Sequence, residues 1–182
     1  MRRVPASRCF ATLKRYSLQG QSTGRAGCTV RTDTGHTVST DVPRFMGGAN
    51  LAPQPVELLL TALLGCKTAT AHYVARHLWS KPHNRIEQIE WQSVVAERDN
   101  TGAVQLPITD TPATSAGLTR VSGVAVVTAH EGVDVRKLGE IVEERCPVAA
   151  VLSAAGCKLE FEWRLAAAPL AAPLAVDPAQ QK

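Results

Sequence analysis

One long helix constrains the fold of this 182-residue chain more than any other feature. The segment 53–81 reads PQPVELLLTALLGCKTATAHYVARHLWSK. Pro53 and Pro55 suit the first turn of a helix, where a missing N–H costs nothing, and Lys81-Pro82 ends the helix at about Ser80. About 25 helical residues span about 37 Å. The helix is too apolar around its circumference for a surface position, which predicts burial in a core or between subunits.

The segments on both sides of this helix predict an α+β fold. Two β-branched runs, 28–32 and 36–40, flank a turn at Asp33-Thr-Gly35. After the helix come strands at 85–99, with a possible bulge, and at 118–129, separated by a polar loop at 100–116. Asp134 caps a helix over 135–145, a short helix runs from Pro147 to Gly156, and 158–165 alternates as a strand. We expect an antiparallel sheet packed against the long helix.

The two ends of the chain differ in composition from the predicted domain, residues 17–165. Residues 1–16 are rich in arginine, contain serine and carry no acid, which is typical of a mitochondrial transit peptide and predicts a matrix location. A disordered basic tail has the same composition. Residues 166–182 are an Ala/Pro tail that predicts disorder.

Net charge and apolar run length argue against two classes of partner. The formal charge is +4, but without residues 1–16 the chain has 15 basic and 16 acidic groups. A nearly neutral domain lacks the clustered basic surface expected of a nucleic-acid-binding protein. The longest apolar run, 56–66, contains Glu57 and is followed by Lys67, so we expect no membrane span.

The cysteines are the strongest candidates for chemistry. There are five, at positions 9, 28, 66, 146 and 157, with no C-x-x-C pair. Cys66 lies in mid-helix on an apolar stripe, where burial raises a thiol pKa and the helix dipole does not lower it, so it is an inert core thiol unless a cation comes from elsewhere. Cys146 precedes Pro147 at a predicted helix N-terminus, which favours its thiolate; the alternative is a small residue filling a corner between helices.

Two charged residues could activate a thiol. Arg25 lies between Gly24 and Gly27, where the backbone can turn and direct one side chain inward. A guanidinium over a thiol would lower its pKa and could hydrogen-bond a peroxide, although a solvated surface arginine is the default. Glu57 precedes Cys66 by nine residues, half a turn out of phase, and either pairs with an arginine or complements the helix dipole. His72 and His77 are too poorly spaced to share a metal, and we predict neither metal nor cofactor.

These residues together resemble a known family. The motif comprises Gly47-Gly48, Pro53 and Pro55, Glu57 followed by three leucines, and Gly65-Cys66, with Cys146-Pro147-Val148 much later. It is similar to the OsmC/Ohr family of thiol peroxidases, in its OsmC-like branch, over about residues 16–165. In the best-characterised branches an acid stands ten residues before the cysteine; here that position is Val56 and the acid is Glu57.

The resemblance implies both an architecture and an activity. It implies an intertwined homodimer with two long central helices wrapped by antiparallel sheets. It implies that Cys66 attacks an organic hydroperoxide to give a sulfenic acid, that Cys146 closes a disulfide, and that a dithiol such as dihydrolipoamide reduces it. Arg25 would activate the Cys66 thiolate, with Glu57 as its acidic partner. The alternative function is a small-molecule-binding or assembly module in mitochondria, with packing cysteines.

Overall fold

The computed structural model describes residues 13–79 and 86–167, which form two compact units divided between Pro55 and Val56. Most of the predicted leader, 1–16, and most of the predicted tail, 166–182, lie outside the described residues, as do Cys9 and the predicted helix stop at Lys81-Pro82. The leader and tail therefore stay predictions.

The first unit contains a small antiparallel sheet. Strands β1 (Leu18–Ser22), β2 (Cys28–Thr32) and β3 (Thr37–Thr40) are ordered β1-β2-β3. Gly35 has φ 90° in the turn between β2 and β3, a conformation that favours glycine. The turn predicted at Asp33–Gly35 is confirmed, and a 3-10 turn at Arg44–Met46 follows the sheet.

Asp41 organises the loop that leads from this sheet to the long helix. Its carboxylate is buried and accepts hydrogen bonds from the N–H groups of Val42, Ala49 and Leu51. The amides of Leu51 and Val42 are the main cause of an Asp41 pKa below its ordinary value. Gly48 lies so close to the Val42 carbonyl that a β-carbon would stand 1.9 Å from the oxygen, so this loop requires glycine there.

The second unit contains the long helix, a second sheet and a helical corner. Helix α1 (Pro55–Leu78) is followed by strand β4 (Ile86–Arg98), the short helix α2 (Thr101–Val104) and strand β5 (Leu118–Ala129). Helices α3 (Val135–Arg145) and α4 (Pro147–Ala154) then lead to strand β6 (Lys158–Leu165). Asp134 caps α3 as predicted, accepting the Lys137 N–H at 3.0 Å. The predicted α+β class is confirmed.

The second sheet has the order β4-β5-β6 and is mixed rather than purely antiparallel. β4 pairs antiparallel with β5 and shifts register between Gln92 and Val95, where Ser93 has φ 50°; this is the predicted bulge. β5 pairs with β6 in parallel, which corrects the expectation of an antiparallel sheet. The correction has a topological cause, since α3 and α4 form a crossover long enough to return the chain in the same direction.

The long helix packs onto this sheet along one stripe. Its buried residues recur at three- and four-residue spacing and are Leu63, Lys67, Ala71, Val74 and Ala75. The last three join one core cluster with Ile86 and Val127, and Leu63 joins a second with Val121 and Leu152. On the same side of the sheet as α1, helix α3 approaches Trp163 so closely that a β-carbon at Gly139 would stand 2.5 Å from the indole.

The opposite face of α1 is apolar and exposed in the single chain. Exposed positions on it include Leu59 and Tyr73, the latter at 51%. The helix is long and apolar enough to cross a membrane by length and composition, although the sequence predicted no such segment. Core helices of soluble proteins meet the same criteria, so this property is weak support for a membrane span.

Candidate active site

Cys66 lies in the middle of α1 at the edge of its buried stripe. The residue is half-buried and packs against the second core cluster, three residues after the fully buried Leu63. The exposed apolar face of the helix begins on its other side. Cys66 is therefore a thiol with one packed side and one open side.

Cys146 occupies the corner between α3 and α4. Its N–H closes the last turn of α3 on the Val142 carbonyl at 2.9 Å, and its carbonyl accepts the Ala150 N–H of α4 at 2.9 Å. Pro147 starts α4, so Cys146 is the N-cap residue, as the sequence predicted. Its side chain is completely buried.

The structure brings Cys66 and Cys146 together. The two residues are 80 positions apart in sequence, yet Cys66 packs against the cluster that contains Cys146 and lies near enough to raise the pKa of the Cys146 thiol. Both pack in the cluster that contains Leu63, Val121 and Ala149. Contact between two free thiols is the arrangement that a disulfide requires.

Burial raises the pKa of the Cys146 thiol above its ordinary value, and the neighbouring Cys66 thiol raises it further. The amides of Ala149 and Val148 at the start of α4 oppose this rise without cancelling it. The start of α4 thus acts in the predicted direction, but the net shift is opposite to the one expected from the helix end alone. Desolvation outweighs the helix end, because the neutral thiol loses far less than the thiolate on leaving water.

The other two described cysteines, Cys157 and Cys28, are not among the causes of the Cys146 pKa shift. Cys157 is buried in the same cluster, its pKa is raised by burial, and its sulfur lies 3.8 Å from the Lys158 carbonyl oxygen. Cys28 is half-buried at the start of β2 in the first unit.

Both predicted activating residues, Arg25 and Glu57, precede Cys66 in the sequence, and both are exposed. Arg25 is exposed in the turn between β1 and β2 of the first unit, where a hollow of about 390 Å³ is lined by Arg25, Arg44 and 47–49. Glu57 is exposed in the first turn of α1, nine residues and about 13 Å of helix rise before Cys66. Their catalytic roles stay predictions.

Lys67 is the residue that sequence reasoning missed. It is completely buried, and its ammonium forms an ion pair with Glu143 of α3 and lies 4.4 Å from the centre of the Phe161 ring. The sequence carried a signal for it, because Lys67 follows Leu63 and precedes Ala71 by four residues each, which places it on the buried stripe.

A hollow of about 220 Å³ lies between α1 and α3. Tyr73, two turns after Cys66, lines it with Val74, His77, Leu78, Ile141 and Arg145. Arg145 directly precedes Cys146. Among residues 13–79 and 86–167, no three His, Cys, Asp or Glu side chains are grouped to hold a metal ion.

A protein-family model described as OsmC-like protein matches residues 47–162, which is more than half of the chain. The chain belongs to the OsmC-like protein family. The matched region runs from Gly47 to Glu162 and includes both Cys66 and Cys146. A comparison with curated proteins finds no match.

Solved structures share the fold of this OsmC-like protein. An OsmC-like protein from Mycoplasma pneumoniae superposes with a TM-score of 0.64 at 19% identity, covering 84% of this chain and 97% of that one. An organic hydroperoxide resistance protein OsmC from Legionella pneumophila gives 0.62 at 17% identity, covering 85% and 99%. One from Elizabethkingia anophelis gives 0.59 at 15%, covering 86% and 100%. At these identities the likeness shows the fold alone.

The shifted pKa of Cys146 gives a test of the thiol contact. In the Cys66→Ala variant we expect the Cys146 pKa to fall, because one of the causes that raise it is removed, while burial, the largest cause, remains. The rate of iodoacetamide alkylation between pH 6 and 10, followed for each cysteine by peptide mass spectrometry, measures this. Cys157, whose pKa is raised by burial, is the internal control and should not respond. An unchanged Cys146 profile would contradict the contact.

Proposed function

We propose that this OsmC-like protein is a thiol-dependent peroxidase that reduces organic hydroperoxides. The observation that carries the proposal is the contact between Cys66 and Cys146, which pack in one cluster. The fold shared with proteins named for organic hydroperoxide resistance supports the substrate class. The support for the activity is chemical, since two adjacent thiols with different surroundings suit sequential oxidation.

The first step assigns the nucleophile to Cys66. Its thiolate attacks the distal oxygen of ROOH, so an S–O bond forms, the O–O bond breaks and ROH leaves after taking up a proton. Cys66 suits this role because one side of it faces away from the core, whereas Cys146 is completely buried. The raised pKa of Cys146 keeps its thiol protonated near neutral pH, where it can donate a hydrogen bond to the Cys66 sulfur.

The second step closes a disulfide. The Cys146 sulfur attacks the Cys66 sulfenic acid, an S–S bond forms, and the departing hydroxide takes the Cys146 proton and leaves as water. A dithiol then reduces the disulfide by two exchange reactions, which return both cysteines as thiols and release the oxidised dithiol. A lipoyl-type dithiol is the reductant class that the family resemblance suggests.

Activation of Cys66 is assigned to Arg25, with Glu57 as the acid that orients it. A guanidinium stabilises a thiolate by charge and can donate hydrogen bonds to the peroxide. Glycines on either side of Arg25 support the assignment, as does the position of Glu57 in the family motif. Arg25 is exposed in the single chain, and its role has an experiment of its own below.

The proposed substrate is organic rather than hydrogen peroxide. The hollow between α1 and α3 begins two helical turns from Cys66 and has apolar walls at Val74, Leu78 and Ile141. An apolar substituent of a hydroperoxide could be held there while its O–O group reaches the sulfur.

The proposed working unit is a homodimer in the mitochondrial matrix. Leu59 and Tyr73 leave an apolar surface on α1 that an isolated soluble chain would expose to water, and a second copy could cover it. The leader composition supports the location. The same exposed surface favours the second candidate function, a non-enzymatic binding or assembly module in mitochondria, in which the thiols only pack.

The cysteine variants separate the two candidates. We expect Cys66→Ser to abolish peroxide consumption, because the nucleophile is gone. Cys146→Ser should complete one turnover and then stop, because the sulfenic acid cannot be resolved. Stopped-flow mixing with cumene hydroperoxide in the presence of dihydrolipoamide measures both rates, and Cys157→Ser is the matched buried-thiol control.

Thiol titration gives the outcome that would contradict the enzyme. One equivalent of cumene hydroperoxide should remove two free thiols per chain from the parent protein. No loss of thiols, with Cys66→Ser indistinguishable from the parent, would leave the binding or assembly module as the function.

The role of Arg25 is tested by Arg25→Gln. Loss of the cation should slow the first oxidation at pH 7 by about tenfold or more, because the positive charge proposed to stabilise the Cys66 thiolate is gone. Arg44→Gln is the matched control, because Arg44 lines the same hollow without a predicted role. Second-order rate constants for sulfenate formation decide the matter, and equal rates in the two variants would remove Arg25 from the mechanism.

The dimer is tested by Leu59→Glu on the exposed face of α1. A carboxylate buried there in a dimer costs at least about 2 kcal/mol, which is roughly thirtyfold in Kd. Sedimentation equilibrium over a concentration series measures the shift, with Val151→Glu on the exposed side of α4 as control. A parent protein that sediments as a monomer at all concentrations would refute the proposed dimer.

A further inference from the structure

Lys67 is the largest completely buried side chain among the described residues. An ammonium group taken out of water costs several kcal/mol before its partners compensate it, and lysines are almost never fully buried unless they are paired. The completely buried ammonium of Lys67, in the central helix of the second unit, therefore depends on partners that compensate its charge.

The partners of Lys67 come from two other elements. Glu143 of α3 forms the ion pair and keeps 32% of its side chain exposed, and Phe161 of β6 lies under the ammonium at 4.4 Å. The pair thus holds α1 against α3 at one point, with the charge on Lys67 completely enclosed. Hydrogen-bonded ion pairs are directional, whereas apolar contacts tolerate sliding.

The two ends of this ion pair adjoin the two thiols. Lys67 follows Cys66 directly on α1, and Glu143 stands three residues before Cys146, one helical turn back on α3. The Cys146 N–H closes that last turn of α3, so the position of α3 fixes the position of Cys146. The Lys67–Glu143 pair therefore joins the backbone of one thiol to the backbone of the other without passing through either sulfur.

We propose that Lys67 and Glu143 are positioning residues that hold Cys146 against Cys66 and set how readily the disulfide closes. The proposal rests on the proposed function, and it assigns no part to the pair in the attack on peroxide. Fixing two reacting groups beside each other raises their effective concentration, so loosening the pair lowers the tendency to form the disulfide and leaves the first oxidation unchanged.

The test replaces Lys67 by an unbranched apolar side chain of similar length, Lys67→Met. Parent and variant are equilibrated with mixtures of reduced and oxidised glutathione, in which the protein dithiol and one glutathione disulfide give the protein disulfide and two glutathione thiols. We expect the equilibrium constant for the Cys66–Cys146 disulfide to fall at least tenfold, or about 30 mV in reduction potential. The rate of closure from the sulfenic acid should fall similarly, with an unchanged rate of sulfenate formation.

Two controls separate positioning from general stability. Val127→Ala leaves a cavity in the other core cluster and should lower stability without changing either disulfide measurement. Glu160→Gln removes the exposed Arg120–Glu160 ion pair between β5 and β6, and should also leave both unchanged. If Lys67→Met does not fold because Glu143 is left unpaired, Lys67→Met with Glu143→Met replaces the whole pair by apolar groups, a change that folded proteins often tolerate.

Each outcome decides a different claim. A disulfide that weakens in Lys67→Met but not in Val127→Ala supports positioning. An equal loss in both variants, or no loss in Lys67→Met, overturns it while the peroxidase proposal stands on the cysteine variants. A parent protein that forms no Cys66–Cys146 disulfide with glutathione overturns the positioning role and the disulfide step together, whereas failure to consume peroxide overturns the peroxidase alone.

Discussion

The packing of one stripe of α1 onto the β4-β5-β6 sheet is the constraint on which the second unit depends. Leu63, Ala71 and Val74 bury the helix against the sheet and α3, and this burial fixes the rotation of the helix about its axis. With that rotation fixed, Cys66 falls at the border of the stripe rather than in its centre. The thiol contact follows, because the α3–α4 corner that carries Cys146 packs against the same cluster.

Two opposing effects on the Cys146 thiol, its position at the start of α4 and its burial, underlie the different roles proposed for the two thiols. Position at the start of α4 favours a charged Cys146, and complete burial opposes it; burial is the larger effect. Cys66 lies on a helix interior without an end effect, but it keeps an open side. The division between an accessible nucleophile and a protonated resolving thiol is thus a consequence of where the chain places each sulfur relative to solvent, and a helix terminus alone would have indicated the reverse.

The sequence predicted those features that have local causes. Asp134 and Pro147 mark helix starts by their backbone chemistry, and the bounds of α3 and β5 were predicted to the residue. The parallel pairing of β6 was not predicted, because strand direction depends on how a crossover docks and not on alternation. The rise in the Cys146 pKa and the burial of Lys67 were not predicted either. Both depend on segments distant in sequence that exclude water from these side chains. The contact of Cys66 with Cys146 was inferred from family resemblance, since no local rule joins positions 80 residues apart.

The apolar outer face of α1 links the architecture to the chemistry. Residues such as Leu59 and Tyr73 lie on the side of the helix that the sheet leaves uncovered, and Cys66 borders that side. The packed side of Cys66 is occupied by Cys146 and its cluster, so the hydroperoxide of the proposed reaction would have to approach from the uncovered side. Whatever covers the outer face therefore also shapes the approach to the sulfur, because a surface that removes water from Leu59 removes it from the neighbourhood of Cys66 as well. A second copy in that position would make access to the nucleophile a property of the dimer rather than of the chain.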